Sequence, residues 1–328
     1  MVVILEPVLL RGRRNTIHYA TILLAQTLMP ALLALPMFAQ VKPTDEIVRC
    51  RNSKDLFALF DRLGYTPKAW HSGMREIPRV YLADIPDRWR DRNSKDFSVQ
   101  DKKRVFFRLL APIVLRINEL ILEDRVRANE LTVRLAQGQS VTPDDQVWLT
   151  DLAVKYKMLE STKERLDRDA VAELLMRVDI IPPSLALAQS ANESGWGRSR
   201  FATQGNALFG QWSWGTGMKP TEQRTSDFGD QRIAAFGSTA LAAYSYALNL
   251  NTHHAYRDLR VKRAVLRRQK QRISGTVLAE TLVHYSERGQ RYVDDLKALI
   301  RQNQLDVDDA HLRNMAVIHI VAADSGPK

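Results

Sequence analysis

The sequence contains a single cysteine, Cys50, among its 328 residues. One thiol cannot form an intrachain disulfide framework or a cysteine-rich metal site, so both are excluded. The chain also lacks internal repeats, low-complexity tracts, a phosphate-binding glycine loop and an HExxH pair of histidines. His253 and His254 are adjacent and diverge on a helix, so we expect a surface or capping role. The sequence therefore predicts no metal and no organic cofactor.

Basic side chains outnumber acidic ones, giving a formal net charge of +11. Such an excess indicates an anionic partner or surface, and nucleic acid, acidic lipid and anionic cell-wall polymer all qualify. The most basic run is Arg257–Arg272. We expect it to form a solvated helix face that can contact an anionic membrane or wall polymer. The hydrophobic content of 45% is ordinary for a globular chain.

The N-terminal segment is typical of export. The basic stretch RGRRN, residues 11–15, precedes an apolar stretch up to Ala39 that contains no Asp, Glu, Lys or Arg. This pattern predicts a signal peptide or membrane anchor over residues 1–40, with cleavage and anchoring both left open. The rest of the chain would then be periplasmic, or anchored in the inner membrane and facing the periplasm. Export makes nucleic acid an unsuitable physiological partner.

Helical patterning dominates the remaining chain and predicts a mainly α (α+β) protein. Residues 41–160 are interpreted as an N-terminal helical extension, in which Pro112 should kink or break a long helix. Residues 161–305 are predicted to form the main domain, and residues 306–328 a C-terminal tail. Between Trp212 and Ser238, glycines, a proline and short mixed runs favour a loop or a small β-hairpin lobe.

One carboxylate, Glu193, ends an apolar helical pattern and directly precedes SGWG. A solvated helix end is one interpretation. The other is a glycosidase general acid, which must stay protonated until it meets the glycosidic oxygen. Burial against Trp196 and Phe209 would raise its pKa by desolvation. Trp196, Trp212 and Trp214 are suited to stacking on sugar rings and equally to filling a core.

The stretch ALAQSANESGWGRSRFATQGNALFGQW, Ala186–Trp212, resembles the signature of endo-β-N-acetylglucosaminidases that cut bacterial peptidoglycan, the seventy-third glycoside hydrolase family. The stretches FFRLLAPIVLRINELILEDR, RIAAFGSTALAAYSYALNLNTHHAYRDLR and YSERGQRYVDDLKALI resemble its Bax-like branch. Together these stretches cover roughly residues 75–303. The resemblance implies a lysozyme-like helical domain with a small β-hairpin lobe, and it implies that Glu193 is the general acid.

The resemblance also implies a second carboxylate in the β-lobe, upstream of RIAAFGS. Glu222 in KPTEQR is the best match, and Asp227 and Asp230 are nearby competitors. All three residue types also occur in loops simply because they are soluble. Substrate assistance by the 2-acetamido group of the sugar is an alternative that reduces the need for a second acid.

Two tyrosines, Tyr285 and Tyr292, match the aromatic positions of a Y-A-T-D-P-x-Y-like motif of the family. Tyr285 is predicted to bind the substrate acetamido group or to position water, and a packed aromatic is the alternative. Between Tyr285 and Tyr292, the residues Glu287, Arg288 and Gly289 depart from the commoner family pattern. The residues predicted to bind substrate are Trp196, Phe209, Trp212, Trp214 and Tyr292.

The sequence thus predicts a peptidoglycan hydrolase that cleaves the β-1,4 bond on the reducing side of N-acetylglucosamine. Glu193 would be its general acid, with Glu222 and Tyr285 as further catalytic residues. A lytic transglycosylase is the nearest alternative, since it also uses one glutamate at a helix end. A non-catalytic peptidoglycan-binding protein is the alternative from another class.

Overall fold

The computed structural model describes residues 43–86, 97–161, 168–220 and 230–322. The helices are α1 (Ser53–Arg62), α2 (Pro67–His71), α3 (Val99–Ala136), α4 (Pro143–Lys155), α5 (Arg168–Arg177), α6 (Pro183–Ser194), α7 (Arg200–Gly205), α8 (Thr239–Thr252), α9 (Arg257–Arg268), α10 (Gly275–Ala279) and α11 (Gln290–Gln302). The strands are β1 (Glu46–Cys50), β2 (Glu76–Ile77), β3 (Val80–Leu82), β4 (Trp212–Trp214), β5 (Gln231–Ile233), β6 (His311–Leu312) and β7 (Ile318–Ala322). The predicted mainly helical, lysozyme-like class is confirmed.

Helix α3 is the long structural member of the N-terminal part. Ser98 caps it by accepting a hydrogen bond from the Asp101 backbone N–H at 3.0 Å. Pro112 lies inside the helix and does not end it. A proline removes one backbone hydrogen bond, but Leu110 and Ile113 on either side are buried in the common core. Burial of this helix face therefore outweighs the lost bond, and of the expected kink or break the break does not occur.

Helix α6 lies in the core and packs against α3, α10 and α11. Its packing against α10 is close, because a Cβ on Gly275 would lie 2.1 Å from Ser184 Oγ and 2.6 Å from the Leu185 backbone nitrogen. The partly buried Asp308 carboxylate fixes the N-terminal end of α6. It accepts hydrogen bonds from the Ser184 backbone N–H at 2.9 Å, the Ser184 hydroxyl at 2.8 Å and the Gly275 N–H at 2.9 Å.

The chain ends of the described fold meet in a three-stranded parallel sheet, with strand order β1–β7–β3. Ile318 of the central strand is opposite Glu46 on one side and Val80 on the other. Strands β2 and β6 form a second parallel pair. Residues 306–328 were expected to be a tail. Up to residue 322 this expectation is corrected, because β7 is a central strand and supplies buried side chains to the core. The domain boundaries themselves stay a prediction.

The predicted hairpin is present in the described residues. Strands β4 and β5 pair antiparallel, with Trp212 opposite Ile233 and Trp214 opposite Gln231. The Ala234 backbone N–H donates to the Gln211 carbonyl at 2.8 Å and extends the pairing toward α7. The hairpin therefore begins directly after the NALFG stretch that follows α7.

Helix α9 contains the basic run, and the structure corrects its expected character. Arg260 and Arg263 are buried. Arg260 donates to the His253 carbonyl at 2.8 Å, and Arg263 donates to the Ile180 carbonyl at 2.6 Å. These arginines are buried because they satisfy carbonyl groups at helix ends. The run Arg257–Arg272 is therefore a solvated face only in part.

The described ranges contain no helix that is both long and apolar enough to cross a bilayer. The predicted signal peptide or anchor, residues 1–40, lies outside the described residues.

Candidate active site

Glu193 lies in the last turn of α6, and the following SGWG sequence ends the helix. Gly195 adopts the left-handed conformation, with φ of 58°, which glycine adopts without steric cost. The Ser194 hydroxyl donates to the Ser190 carbonyl at 2.6 Å and accepts from the Gly197 backbone N–H at 2.8 Å. The hydrogen bonds of the Ser194 hydroxyl therefore stabilise the turn after Glu193 and fix the end of the helix that carries it.

The Glu193 carboxyl group is partly buried and surrounded by hydrogen-bond donors. Burial raises its pKa above the ordinary value, and this effect is the largest one acting on the group. Three weaker effects oppose it: hydrogen bonds from the Asn192 amide and the Tyr292 hydroxyl, and the charge of Arg288. The Asn192 Nδ2 donates to Glu193 Oε1 at 3.1 Å. Glu193 is therefore a carboxyl group whose proton is retained to higher pH than that of a solvated glutamate.

A buried polar chain reaches Glu193 from the core. Tyr292 OH accepts a hydrogen bond from Gln189 Nε2 at 3.0 Å, and Gln189 Oε1 accepts one from the Tyr246 hydroxyl at 2.6 Å. Gln189 and Tyr246 are not among the site residues predicted from the sequence. The signal for Gln189 was present: a lone amide lies one helical turn before Glu193 in an apolar stretch, on the same helix face. No pattern in the sequence singles out Tyr246.

Stacked aromatic rings support this chain from both sides. Phe209 stacks on Tyr246 with ring centroids 4.0 Å apart, and Tyr285 stacks on Tyr292 at 5.4 Å. The Tyr285 hydroxyl donates to the Phe209 carbonyl at 3.2 Å. Phe209 and Tyr292 are fully buried. The substrate contacts predicted for Phe209 and Tyr292 stay predictions that this arrangement does not favour, since both rings are buried.

Tyr285 occupies the position expected of a packed aromatic. It is partly buried, and its hydroxyl is engaged by a backbone carbonyl. The structure brings it within electrostatic range of Glu193. Its predicted catalytic role therefore stays a prediction.

The tryptophans differ in exposure. Trp196 is partly buried, and the Lys103 Nζ of α3 lies 4.3 Å from its ring centroid. Trp212 and Trp214 alternate with the buried Ser213 on β4, so both project from the same face of the hairpin. Trp214 is 41% exposed. The face of β4 that carries Trp212 and Trp214 is therefore the one with aromatic surface available to a ligand.

The second carboxylate falls largely outside the structure. Glu222 and Asp227 lie outside the described residues, in the segment that joins β4 to β5. Asp230 is exposed, and its backbone carbonyl accepts from the Gly215 N–H at 3.2 Å. All three remain candidates.

Metal-binding clusters of three or more His, Cys, Asp or Glu side chains do not occur within the described ranges. His253 has the capping role that the sequence suggested, because its Nδ1 accepts from the Ala255 backbone N–H at 3.2 Å.

The helix that ends at Glu193, beside a small β-hairpin, agrees with a lysozyme-like domain. The family model described as mannosyl-glycoprotein endo-beta-N-acetylglucosaminidase matches residues 169–305. Protein bax of Escherichia coli (strain K12) is 34% identical over 205 residues, which is 62% of this chain and 70% of that protein. No solved structure matches. The chain belongs to the Bax-like proteins that carry a glucosaminidase domain. The matched segment contains Glu193 and the tyrosines around it.

Proposed function

We propose that this protein is a peptidoglycan hydrolase that cleaves the β-1,4 bond on the reducing side of N-acetylglucosamine. The observation that carries the proposal is the environment of Glu193: a helix-end carboxyl group with its pKa raised by burial, in a glucosaminidase-family domain. A general acid with a raised pKa is protonated at the start of the reaction and can release its proton to a departing oxygen.

In the proposed reaction, the protonated Glu193 donates its proton to the glycosidic oxygen as the bond from that oxygen to the anomeric carbon breaks. Positive charge develops on the sugar ring. A water molecule then bonds to the anomeric carbon and loses a proton to a base. Glu222, on the segment between the hairpin strands, is our candidate for that base. Alternatively, the sugar's own 2-acetamido oxygen attacks first and water opens the resulting ring.

Two further features support a cell-wall glycan as substrate. Trp212 and Trp214 present aromatic surface on one face of the hairpin, and aromatic faces are suited to stacking on sugar rings. The net charge of +11 suits an anionic polymer. Export by the segment 1–40 is part of the proposal, with the domain either periplasmic or anchored in the inner membrane and facing the periplasm.

A lytic transglycosylase is the second candidate, and one observation favours it. Two of the predicted site carboxylates, Glu193 and Asp230, lie among the described residues. The pKa of Glu193 is raised by burial, whereas Asp230 is exposed. A transglycosylase needs a single such glutamate, because the muramyl hydroxyl replaces water as the nucleophile.

Mass spectrometry of products from purified sacculi tests these alternatives in one experiment. The parent protein and a folded Glu193→Gln variant are each incubated with the same sacculi. Reducing N-acetylglucosamine ends that the variant does not produce support the proposal. Products with 1,6-anhydro-muramyl ends identify a transglycosylase instead. Sacculus binding without soluble products from the parent protein indicates a non-catalytic binding protein.

A further inference from the structure

We infer that Gln189 and Tyr246 are positioning residues for the general acid. They fix the hydroxyl of Tyr292 as a donor to Glu193, so that the acid's own proton must face away from that hydroxyl. The inference rests on the proposed function of Glu193 and extends it to two residues that do not contact the reacting atoms.

The orientation of the Gln189 amide sets the direction of the hydrogen bonds. An amide side chain accepts through oxygen and donates through nitrogen. Gln189 presents Oε1 to the Tyr246 hydroxyl and Nε2 to the Tyr292 hydroxyl. Tyr292 OH therefore receives one hydrogen bond from the amide and keeps its single proton for Glu193. The chain has one polarity along its whole length: Tyr246 to Gln189, Gln189 to Tyr292, and Tyr292 to Glu193.

This polarity constrains the proton on Glu193. The Asn192 amide nitrogen is a donor, and the Tyr292 hydroxyl is held as a donor. Neither group can accept a proton from the carboxyl group in this arrangement. The acidic O–H must therefore point away from both of these groups.

The chain is sealed from solvent. Gln189 and Tyr292 are both 0% exposed, and Tyr246 is 1% exposed. In such surroundings no water replaces a lost partner, and an unpaired buried donor or acceptor costs about 1–3 kcal/mol. The three side chains come from α6, α8 and α11. The competing explanation is that these side chains only join the three helices. The experiment must distinguish this structural role from the positioning role.

Several titratable groups face Glu193 from the elements packed around it. These groups are Tyr246 of α8, Tyr256 of the short turn before α9, Tyr285 and Arg288 of the loop before α11, and Tyr292 of α11. Burial raises the pKa of all four tyrosines, that of Tyr256 to about 12. The tyrosines are therefore neutral at working pH. In this set, Arg288 supplies charge and Tyr292 supplies a hydrogen bond.

The test compares Gln189→Met and Tyr246→Phe with the parent protein. Both variants retain side-chain volume and remove one link of the chain. Tyr65→Phe is the matched control, because its hydroxyl is buried and has no hydrogen-bond partner among the described residues. Each protein is first checked for folding by thermal unfolding. The pH dependence of kcat/KM on solubilised glycan strands is then measured.

With the donor to Glu193 no longer fixed, the carboxylate form loses a hydrogen bond and the pKa of Glu193 rises further. We expect the alkaline limb of the profile to move upward in both variants, and kcat to fall about ten- to a hundredfold through lost orientation. Tyr65→Phe should leave both unchanged. If Gln189 and Tyr246 serve only to join helices, the unfolding temperature falls while the alkaline limb stays in place, and the inference is overturned.

A second measurement is independent of turnover. The carboxyl ¹³C signal of Glu193 is titrated in protein labelled at glutamate, with Glu193→Gln identifying the signal. An upward shift of this titration in Tyr246→Phe supports the positioning role even if the parent protein cleaves no glycan, in which case only the proposed function fails. An unchanged titration in both folded variants overturns the inference while leaving the proposed function intact.

Discussion

Gly210 lies directly against the Glu193 carboxyl group, so closely that a Cβ at position 210 would be 3.1 Å from Glu193 Oε2. The glycine has φ of +62°, in the left-handed region. Both facts require glycine: a side chain would be strained by the backbone and would press on the acid. The backbone of the NALFG stretch therefore packs against the Glu193 carboxyl group at Gly210.

Replacing Gly210 by alanine should damage catalysis more than folding. The left-handed conformation costs a non-glycine residue about 1–2 kcal/mol, and the new methyl group must displace Glu193. Gly138→Ala is the matched control, because Gly138 has φ of +73° and nothing within 4 Å of its Cβ position. Both variants should lose similar unfolding free energy in denaturant titrations. Activity on sacculi should fall at least tenfold in Gly210→Ala alone; equal activities would show that the contact with Glu193 does not matter.

Glu193→Gln should lose activity and gain stability. The rate should fall by roughly two to four orders of magnitude, about 3–5 kcal/mol of barrier, because an amide cannot donate an acidic proton. Glutamine keeps an oxygen that can accept from Asn192 and Tyr292, so the packing is retained. Activity at the parent rate in a folded variant would contradict the assignment of the acid.

The stability gain has a defined pH dependence. The pKa of Glu193 is raised in the folded state, so the folded protein holds this proton more tightly than the unfolded chain. The side chain therefore becomes a cost to folding as pH rises above its unfolded pKa, and the cost is complete above its folded pKa. Glu193→Gln removes that cost. Its unfolding free energy should match the parent's in acid and exceed it at neutral pH; a constant difference across this range would be inconsistent with desolvation of the carboxylate.

The sequence singled out Glu193 as the candidate acid but indicated only part of its surroundings. The helix of Glu193, the turn after it and the hairpin could be predicted, because glycine positions and apolar periodicity are local signals. The chain through Gln189 and Tyr246 could not, since it joins side chains 57 residues apart in sequence. The burial of Arg263 has the same origin: a local charge pattern indicates solvent, and only tertiary packing shows that carbonyl groups take its place.

The C-terminal segment illustrates the same point for the fold. Residues 306–328 look like a tail because their strands are short and gain partners only from the distant N-terminal strands β1 and β3. Asp308 in this segment also anchors the N-terminal end of the helix that carries Glu193. One sequence does not reveal this contact between Asp308 and the helix of Glu193, because the two are far apart along the chain.

Asp308→Asn should therefore destabilise the protein from a position outside the predicted main domain. The three donors that Asp308 accepts from leave no place for an amide NH₂, and an unsatisfied donor in such a site costs about 1–3 kcal/mol. Asp306→Asn is the control, because Asp306 is exposed and pairs with Arg272 at the surface. Urea unfolding should show a lower midpoint for Asp308→Asn and little change for Asp306→Asn. Equal midpoints would mean that the anchor of α6 contributes nothing to stability.

Truncation after residue 305 tests the same relationship on a larger scale. The shortened chain loses β6, β7 and Asp308, which removes the central strand of the three-stranded sheet. We expect it to be unfolded or strongly destabilised by circular dichroism, whereas a chain ending at residue 322 should unfold like the parent. A stable fragment that ends at residue 305 and unfolds cooperatively would show that the chain up to the predicted boundary folds independently.

Arg288 is a residue at which the chain departs from the commoner family motif, and its charge acts on Glu193. Its Nη2 lies 3.5 Å from Asn192 Oδ1, and its Nη1 pairs with Asp295. A nearby cation favours the carboxylate, so Arg288→Ala should raise the pKa of Glu193 and move the alkaline limb of the rate profile upward. Arg288 is about half exposed, so the shift should be modest and should shrink at high salt.

Arg291→Ala is the control for that prediction, because Arg291 is an exposed arginine three residues further along, at the start of α11. It carries the same charge without acting on Glu193. If the limb moves equally in Arg288→Ala and Arg291→Ala, the effect belongs to the net charge of the protein. If only Arg288→Ala moves it, and added salt reproduces the shift in the parent, the proton affinity of the acid is adjusted by this one cation. The departure from the family motif at YSERGQRY then has a physical consequence: Glu193 loses its proton at a lower pH than it would without Arg288.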